Sequence, residues 1–189
     1  MAIREYKFTD EQVAEILTRR GLNEREDVKG KVIAIIGRAN GDTDIIHGLN
    51  IVTNAGDLYY AQNGAGEAHT VSFHDIGGML LGTSDTAPAK TDTSVTTKLG
   101  SSSGKAIKSG YPKTNDADAQ NTGAGTDIVT WTYEWAAGED TGTGIQEGAI
   151  VNDLTTPTAA LSHFLFAASW DKAAGDTAKV VVNHEFSGV

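Results

Sequence analysis

The 189-residue sequence contains no cysteine and only three prolines. Without cysteine the chain has no disulfide, no thiol nucleophile and no cysteine-based zinc or iron–sulfur site, and nothing indicates an oxidising compartment. No run of 18 apolar residues is present. The first residues, MAIREYKFTDEQ, are charged where a secretory signal peptide needs an apolar segment. The sequence therefore predicts a soluble protein with no redox role and no export signal.

Positive charge is also scarce, because 15 Lys and Arg stand against 25 Asp and Glu, which gives a net charge of -10 and a pI near 4.8. An acidic surface repels phosphate backbones and anionic lipids. We therefore expect no nucleic-acid partner and no membrane partner. All five arginines precede residue 39, so a less acidic N-terminal segment is followed by an acidic remainder.

The length predicts one domain with an arm, on the general scale of roughly 150 residues per domain. We assign residues 1–30 to an N-terminal arm and helix, and residues 31–189 to a β-rich body with a long polar loop at about 82–127. Glycine and threonine are the abundant residues of the body, and this composition favours strands, turns and loops.

One helix is predicted over residues 9–20. Thr9 is a good N-cap and Gln12 stands three residues later, which makes a capping box. Phe8 and Val13 occupy the positions of a hydrophobic staple. Gly21 can take the left-handed conformation that ends a helix.

The apolar stripe of this helix is narrow, and a three-turn helix is marginal alone, so the helix must dock. Two interpretations stay open: the helix covers part of its own sheet, or the arm and helix reach a neighbouring subunit. The candidate partner-contact residues are Tyr6, Phe8, Val13, Ile16, Arg19 and Arg20.

The body contains strand-like apolar runs separated by turn residues. We predict strands over residues 31–36, 44–53, 58–61, 71–73, 128–135, 145–151, 161–170 and 178–186. Residues 128–135 alternate, which places Val129, Trp131, Tyr133 and Trp135 on one face, and we expect these aromatics in the core. The last four strands are predicted to form an antiparallel meander. The predicted fold class is mainly β, an antiparallel β-sandwich or jelly roll with a short N-terminal helix and arm.

Two motif-like strings occur in the polar loop. The residues from Gly100 to Gly104 match the letters of a nucleophile elbow, but neither the apolar strand nor the helix that the elbow needs surrounds Ser102. Lys105 follows Gly104 as in a phosphate-binding loop, but the spacing is one residue short and Ala106 stands where Ser or Thr should be. We predict that Ser102 has no catalytic role.

No metal or acid–base site is evident from spacing. None of the five histidines has helical zinc-site spacing, and His163 and His184, on consecutive strands, are expected to face each other as a hydrogen-bonded pair. Nothing brings together two of the carboxylates that a glycosidase would need, among Glu134, Glu139 and Glu147. The sequence predicts no enzyme activity, no catalytic residue, no cofactor and no metal.

Four segments occur in an order that resembles structural proteins of tailed-bacteriophage virions. They are GMLLGTSDTAP at 78–88, the Trp131-x-Tyr133-x-Trp135 strand, IQEGAIV at 145–151, and the closing pair from 161–164 through 171–172 to 180–182. Residues 1–77 lie outside the resemblance. Because such proteins act by assembling, the resemblance implies no catalytic residues.

The resemblance implies a capsid cement or decoration protein, made in the host cytoplasm and located on the outer surface of the virion. There it would bridge neighbouring capsid subunits. Its partners would be the major capsid protein or other virion proteins, and we expect a homo-oligomer, with a trimer favoured by icosahedral three-fold axes. A tail, baseplate or fibre component is the alternative within virions. A glycan-binding or glycan-hydrolysing β-sandwich is the alternative of another class.

Overall fold

The structure is a computed structural model, and it describes residues 1–9, 11–12, 29–73, 77–100, 102–114 and 128–186. The fold is mainly β, with the curled antiparallel, sandwich-like sheet that the sequence predicts. Its strands are β1 (Ile3–Tyr6), β2 (Lys29–Gly37), β3 (Thr43–Val52), β4 (Gly78–Gly82), β5 (Lys113–Thr114), β6 (Ile128–Trp135), β7 (Gly142–Val151), β8 (Ala160–Lys172) and β9 (Thr177–Glu185). The helix α1 (Asn54–Ala65) follows β3.

The strands lie in the order β4-β7-β8-β3-β2-β9-β6-β5, and every neighbouring pair on this path is antiparallel. The predicted meander is wrong. Strands β7 and β8 form a hairpin, but β9 pairs with β2 and β6 instead of β8. The physical reason is β2, whose Val32 and Ile33 are buried on opposite faces. A strand apolar on both faces takes a central place, so the β2–β3 hairpin separates β8 from β9.

Residues 102–108 connect strands at or near the two ends of the curled sheet. Backbone hydrogen bonds of 2.8 Å join Met79 in β4 to Lys105 in both directions. The N–H of Lys108 donates to the carbonyl of Thr132 in β6 at 2.9 Å. Residues 105 and 108 therefore bond to β4, at one end of the path, and to β6, next to the other end, and the sheet encloses one main core.

The main core is aromatic. Trp131, Tyr133 and Trp135 are all at most 1% exposed, which confirms the prediction that their shared face points inward. They pack with inward residues of the facing strands, among them Val32, Ala34, Ile36, Phe164, Phe166, Val180 and Val182. A smaller apolar cluster lies apart from this core, formed by Leu80, Val95, Ala149, Val151 and Ala160.

The predicted strand at 58–61 is wrong, because these residues lie within α1. The hydroxyl of Thr53 caps the helix by accepting the N–H of Gly56 at 3.2 Å, and Gly66 ends it in the left-handed conformation with φ of 70°. A side chain at Gly56 would meet the Leu161 carbonyl, so the helix packs closely on β8. The run of leucine and two tyrosines is typical of a strand, but the caps and the packing override it.

The predicted strand at 71–73 is also wrong, because these residues form no regular strand. Phe73 is nevertheless fully buried and makes an edge-to-face contact with Tyr59 of α1, with ring centroids 5.4 Å apart. The apolar pattern of residues 71–73 therefore indicates a buried side chain, although these residues form no strand. In the predicted polar loop, Val95 and Leu99 are buried anchors, and β5 is a two-residue strand.

Candidate functional site

The N-terminal arm lies on the edge of β3. Strand β1 pairs in parallel with Thr43–Ile46 of β3, while β8 pairs only with the later residues, Gly48–Val52, of the same edge. The arm therefore fills the part of the edge that β8 leaves open. We call this edge segment, Thr43–Ile46, the β3 notch.

Polar contacts fix the register of the arm. Arg4 Nε lies 2.6 Å from Asp44 Oδ1, and Glu5 Oε1 lies 2.7 Å from His47 Nε2. The backbone N–H of Ala2 donates to the Asp42 side chain at 2.8 Å. The hydrogen bond from His47 lowers the pKa of Glu5, and the contact with Lys7 lowers it further. These contacts specify which arm residue lies opposite which notch residue.

The side chains of the arm bury little surface. All four residues of β1 are exposed, and Ile3 and Tyr6 are 66% and 39% exposed. Within the described ranges, exposed large apolar side chains occur at Met1, Ile3, Tyr6 and Leu58, so three of the four belong to the arm. The arm is held by backbone and ionic contacts rather than by apolar burial.

The candidate contact residues Tyr6 and Phe8 lie on this arm. The predicted capping box is confirmed: the Thr9 N–H donates to Gln12 Oε1 at 2.9 Å, and the Gln12 N–H donates to the Thr9 hydroxyl at 3.2 Å. The remaining candidates, Val13, Ile16, Arg19 and Arg20, and the rest of the predicted helix lie outside the described residues.

The arm is linked to a buried ionic network through Asp44. Arg38 Nη2 lies 2.6 Å from Asp44 Oδ2, and Arg38 Nη1 lies 2.8 Å from Asp176 Oδ2. Burial would raise the pKa of Asp176, but the hydrogen bonds from Arg38 and from two backbone N–H groups outweigh it and hold the pKa below its ordinary value. Asp44 therefore joins two arginines, one on the arm and one in the β2–β3 turn. It is one of two acidic side chains held by Arg38.

A second buried polar cluster lies where loop 83–97 covers β7 and β8. Glu147 is fully buried, and its carboxylate accepts the backbone N–H groups of Thr96 and Thr97 at 2.8 Å and the Nε2 of His163 at 2.8 Å. The other ring nitrogen of His163 lies 2.7 Å from Asp92. Burial raises the pKa of Glu147, but these hydrogen bonds more than offset it, so the pKa lies below its ordinary value.

Ser102 belongs to a third cluster. Its hydroxyl donates to Asp140 Oδ2 at 2.9 Å, and the indole N–H of Trp135 donates to the same oxygen at 2.9 Å. Asp140 has a left-handed backbone, with φ of 41°, which aims its carboxylate at both donors. The hydroxyl also accepts the N–H of Gly104 at 3.0 Å. Ser102 thus fastens the loop to the β6–β7 turn.

The predicted pairing of His163 with His184 is wrong. Strands β8 and β9 are separated by β3 and β2 in the sheet, so the two rings lie in different clusters. The Nδ1 of His184 lies 2.6 Å from the Tyr60 hydroxyl, which also accepts the indole N–H of Trp131 at 2.9 Å. Complete burial lowers the pKa of His184 to about 3, so its ring is neutral at pH 7.

Two of the three glutamates weighed as possible glycosidase acids lie near each other. Glu134 and Glu139 line one open depression of about 550 Å³ at the surface, and Glu147 lies elsewhere. Each is paired with a lysine, at 2.9 Å to Lys108 and 2.5 Å to Lys105. The hydrogen bond from Lys105 lowers the pKa of Glu139, whereas a general acid needs a raised one.

Among the described residues, no group of three or more His, Asp or Glu side chains is arranged to hold a metal ion. No helix in the described ranges has the length and apolar character needed to cross a membrane. No protein-family model, no curated protein and no solved structure matches this chain.

Proposed function

We propose that this chain is a structural protein of a tailed-bacteriophage virion, and within the virion a cement or decoration protein of the capsid surface. The observation that carries the proposal is the arm, which adds to a sheet edge while leaving Ile3 and Tyr6 exposed for a neighbour. The resemblance of residues 78–182 to virion proteins supports the same assignment.

The interior of the body supports a role in assembly. The main core contains buried tryptophan, tyrosine and phenylalanine side chains packed with aliphatic ones. The buried polar side chains described above hold separate elements to one another: Glu147 joins loop 83–97 to β7 and β8, and Asp140 joins Ser102 to Trp135. Such cross-links favour a rigid building block, and we propose that it acts without catalysis.

The partners that we propose are the major capsid protein or other virion proteins, together with further copies of this chain in a trimer. An acidic subunit, with 15 Lys and Arg against 25 Asp and Glu, would bind a shell through apolar and polar contacts, so attachment should tolerate moderate salt. Several linked copies would raise the effective concentration at the lattice. A tail, baseplate or fibre position is the alternative that the experiment must separate.

The test is the protein composition of gradient-purified particles, with gold-labelled antibody against this chain on the same particles. The proposal expects many stoichiometric copies per particle and label over the head. Label confined to the tail would overturn the capsid assignment. Absence from the particles, with release of sugars from a host glycan by the purified protein, would favour the hydrolase class.

A further inference from the structure

We propose that the N-terminal arm is exchanged between copies of this chain, so that residues 2–6 of one copy occupy the β3 notch of a second copy. The inference concerns contacts between identical chains and does not depend on a capsid position. Its failure would leave the virion proposal standing.

The polar contacts at the β3 notch match the charged side chains of the arm. The notch accepts a parallel strand with a basic residue at its second position and an acidic residue at its third, because Asp44 contacts Arg4 and His47, which follows the notch directly, contacts Glu5. Asp44 is 3% exposed, so an incoming side chain with the wrong charge would leave a buried carboxylate poorly paired. An arm from a second copy presents the same side chains and satisfies the same contacts.

The connection is long enough for exchange. The 22 residues from 7 to 28 separate β1 from β2. Tyr6 pairs with Ile46 and Gly30 pairs with Asn50, so the two ends lie four residues apart along β3 and on its opposite sides. That gap is roughly 16 Å at ordinary strand spacings, whereas 22 extended residues span about 70 Å. Only the length of the connection enters this comparison.

The arm also has features that favour release and capture. Its side chains are exposed, so detaching it uncovers little apolar surface of the arm itself. Ile3 and Tyr6, which remain exposed beside the notch, would gain contacts from the body of a second copy. When each copy passes its arm to the next copy around a ring, the exchange produces a closed cyclic oligomer, and three copies would give the proposed trimer.

Cysteine trapping tests the exchange directly, because the chain has no cysteine of its own. Ile3 and Thr43 are register partners of β1 and β3, at the close Cα spacing that a disulfide requires. One copy carries I3C and a second carries T43C. They are mixed after joint unfolding and refolding, and then oxidised. The matched control replaces T43C by T155C. Thr155 is exposed and lies in the loop between β7 and β8.

Exchange predicts that disulfide-linked dimers of the I3C and T43C copies exceed those of the I3C and T155C copies at least tenfold. In a double variant that carries both I3C and T43C, the fraction of disulfides that join two chains should rise with protein concentration. Exchange is contradicted if the double variant links only within one chain at every concentration and the mixed copies give no more dimer than the control.

A second pair of variants does not depend on cysteine. E5K places a positive charge against His47, and H47E places a negative charge against Glu5, so each variant alone has a mismatched notch. In the mixture, each arm fits the notch of the other variant. Exchange predicts mixed oligomers by native mass spectrometry at several times the level that random association gives. A random distribution, or monomers only, would overturn it.

Discussion

The Nε2 atom of His163 lies 2.8 Å from Oε2 of Glu147, and both side chains are at most 1% exposed. The Nδ1 atom of the same ring lies 2.7 Å from Asp92. Both ring nitrogens therefore lie within hydrogen-bond distance of a carboxylate, and the three side chains together link loop 83–97 to β7 and β8.

Replacing Glu147 with Gln should destabilise the fold by about 3–5 kcal/mol, because it removes a fully buried carboxylate that accepts the N–H groups of Thr96 and Thr97 and contacts His163. Denaturant unfolding measures the change. The matched control is Glu134→Gln, at an exposed glutamate paired with Lys108, which should cost less than about 1 kcal/mol. Equal effects of the two substitutions would contradict the structural role of Glu147.

The stability of the protein should fall as pH decreases below 6.5. His184 is neutral in the folded chain, with a pKa of about 3, whereas in the unfolded chain it binds a proton near pH 6.5. Between these values the unfolded state holds one more proton, so the free energy of unfolding decreases by about 1.4 kcal/mol per pH unit from this group.

Replacing His184 with Gln isolates this contribution. Unfolding free energies at pH 7, 6 and 5 should show a shallower decrease for the variant than for the parent chain, whatever its stability at pH 7. The control is His47→Gln, at a partly exposed histidine on the arm contact. Identical pH slopes for the His184 variant and the parent would show that this buried ring does not account for the acid sensitivity.

Replacing Ser102 with Ala should cost about 1–2 kcal/mol of stability, because the hydroxyl joins Asp140 to the loop. A serine-directed covalent reagent should leave the intact protein unlabelled, since we assign the hydroxyl a structural role only. Unfolding and intact-mass measurements check both expectations. Stoichiometric labelling at Ser102 would overturn the proposal that the protein acts without catalysis.

Deleting residues 1–22 should spare the body but weaken its attachment to the particle. The side chains of β1 are exposed, and Asp44 keeps Arg38 when Arg4 is removed. Thermal unfolding and a particle-binding assay of the truncated chain measure the two effects, with Arg4→Ala as a milder comparison. A truncated chain that unfolds, or one that binds as well as the full chain, would contradict the role of the arm.

The sequence predicts the aromatic strand and its inward face correctly, because Val129, Trp131, Tyr133 and Trp135 alternate with polar residues. It does not predict α1. The polar helix has no apolar stripe, and the signals that define it, Thr53 as N-cap and Gly66 in the left-handed conformation, are short and local. The tyrosines of this segment favour a strand, and in the sequence alone that preference outweighs the two capping signals.

The sheet order and the buried clusters are harder to predict for another reason. The partners of His163 are 71 and 16 residues away in sequence, and the Ser102–Asp140 bond spans 38 residues. Such contacts depend on which strands become neighbours. Once β2 takes the central place, β8 and β9 separate, and the expected pairing of His163 with His184 is lost.

The most direct test of the central claim is a localised reconstruction of this chain on the particle that contains it. A capsid decoration protein predicts density on the outer surface of the head, with three-fold local symmetry and one body per subunit. Six-fold or twelve-fold density along the tail axis would contradict the capsid assignment, and no density on the particle would contradict the proposal that the protein belongs to the virion.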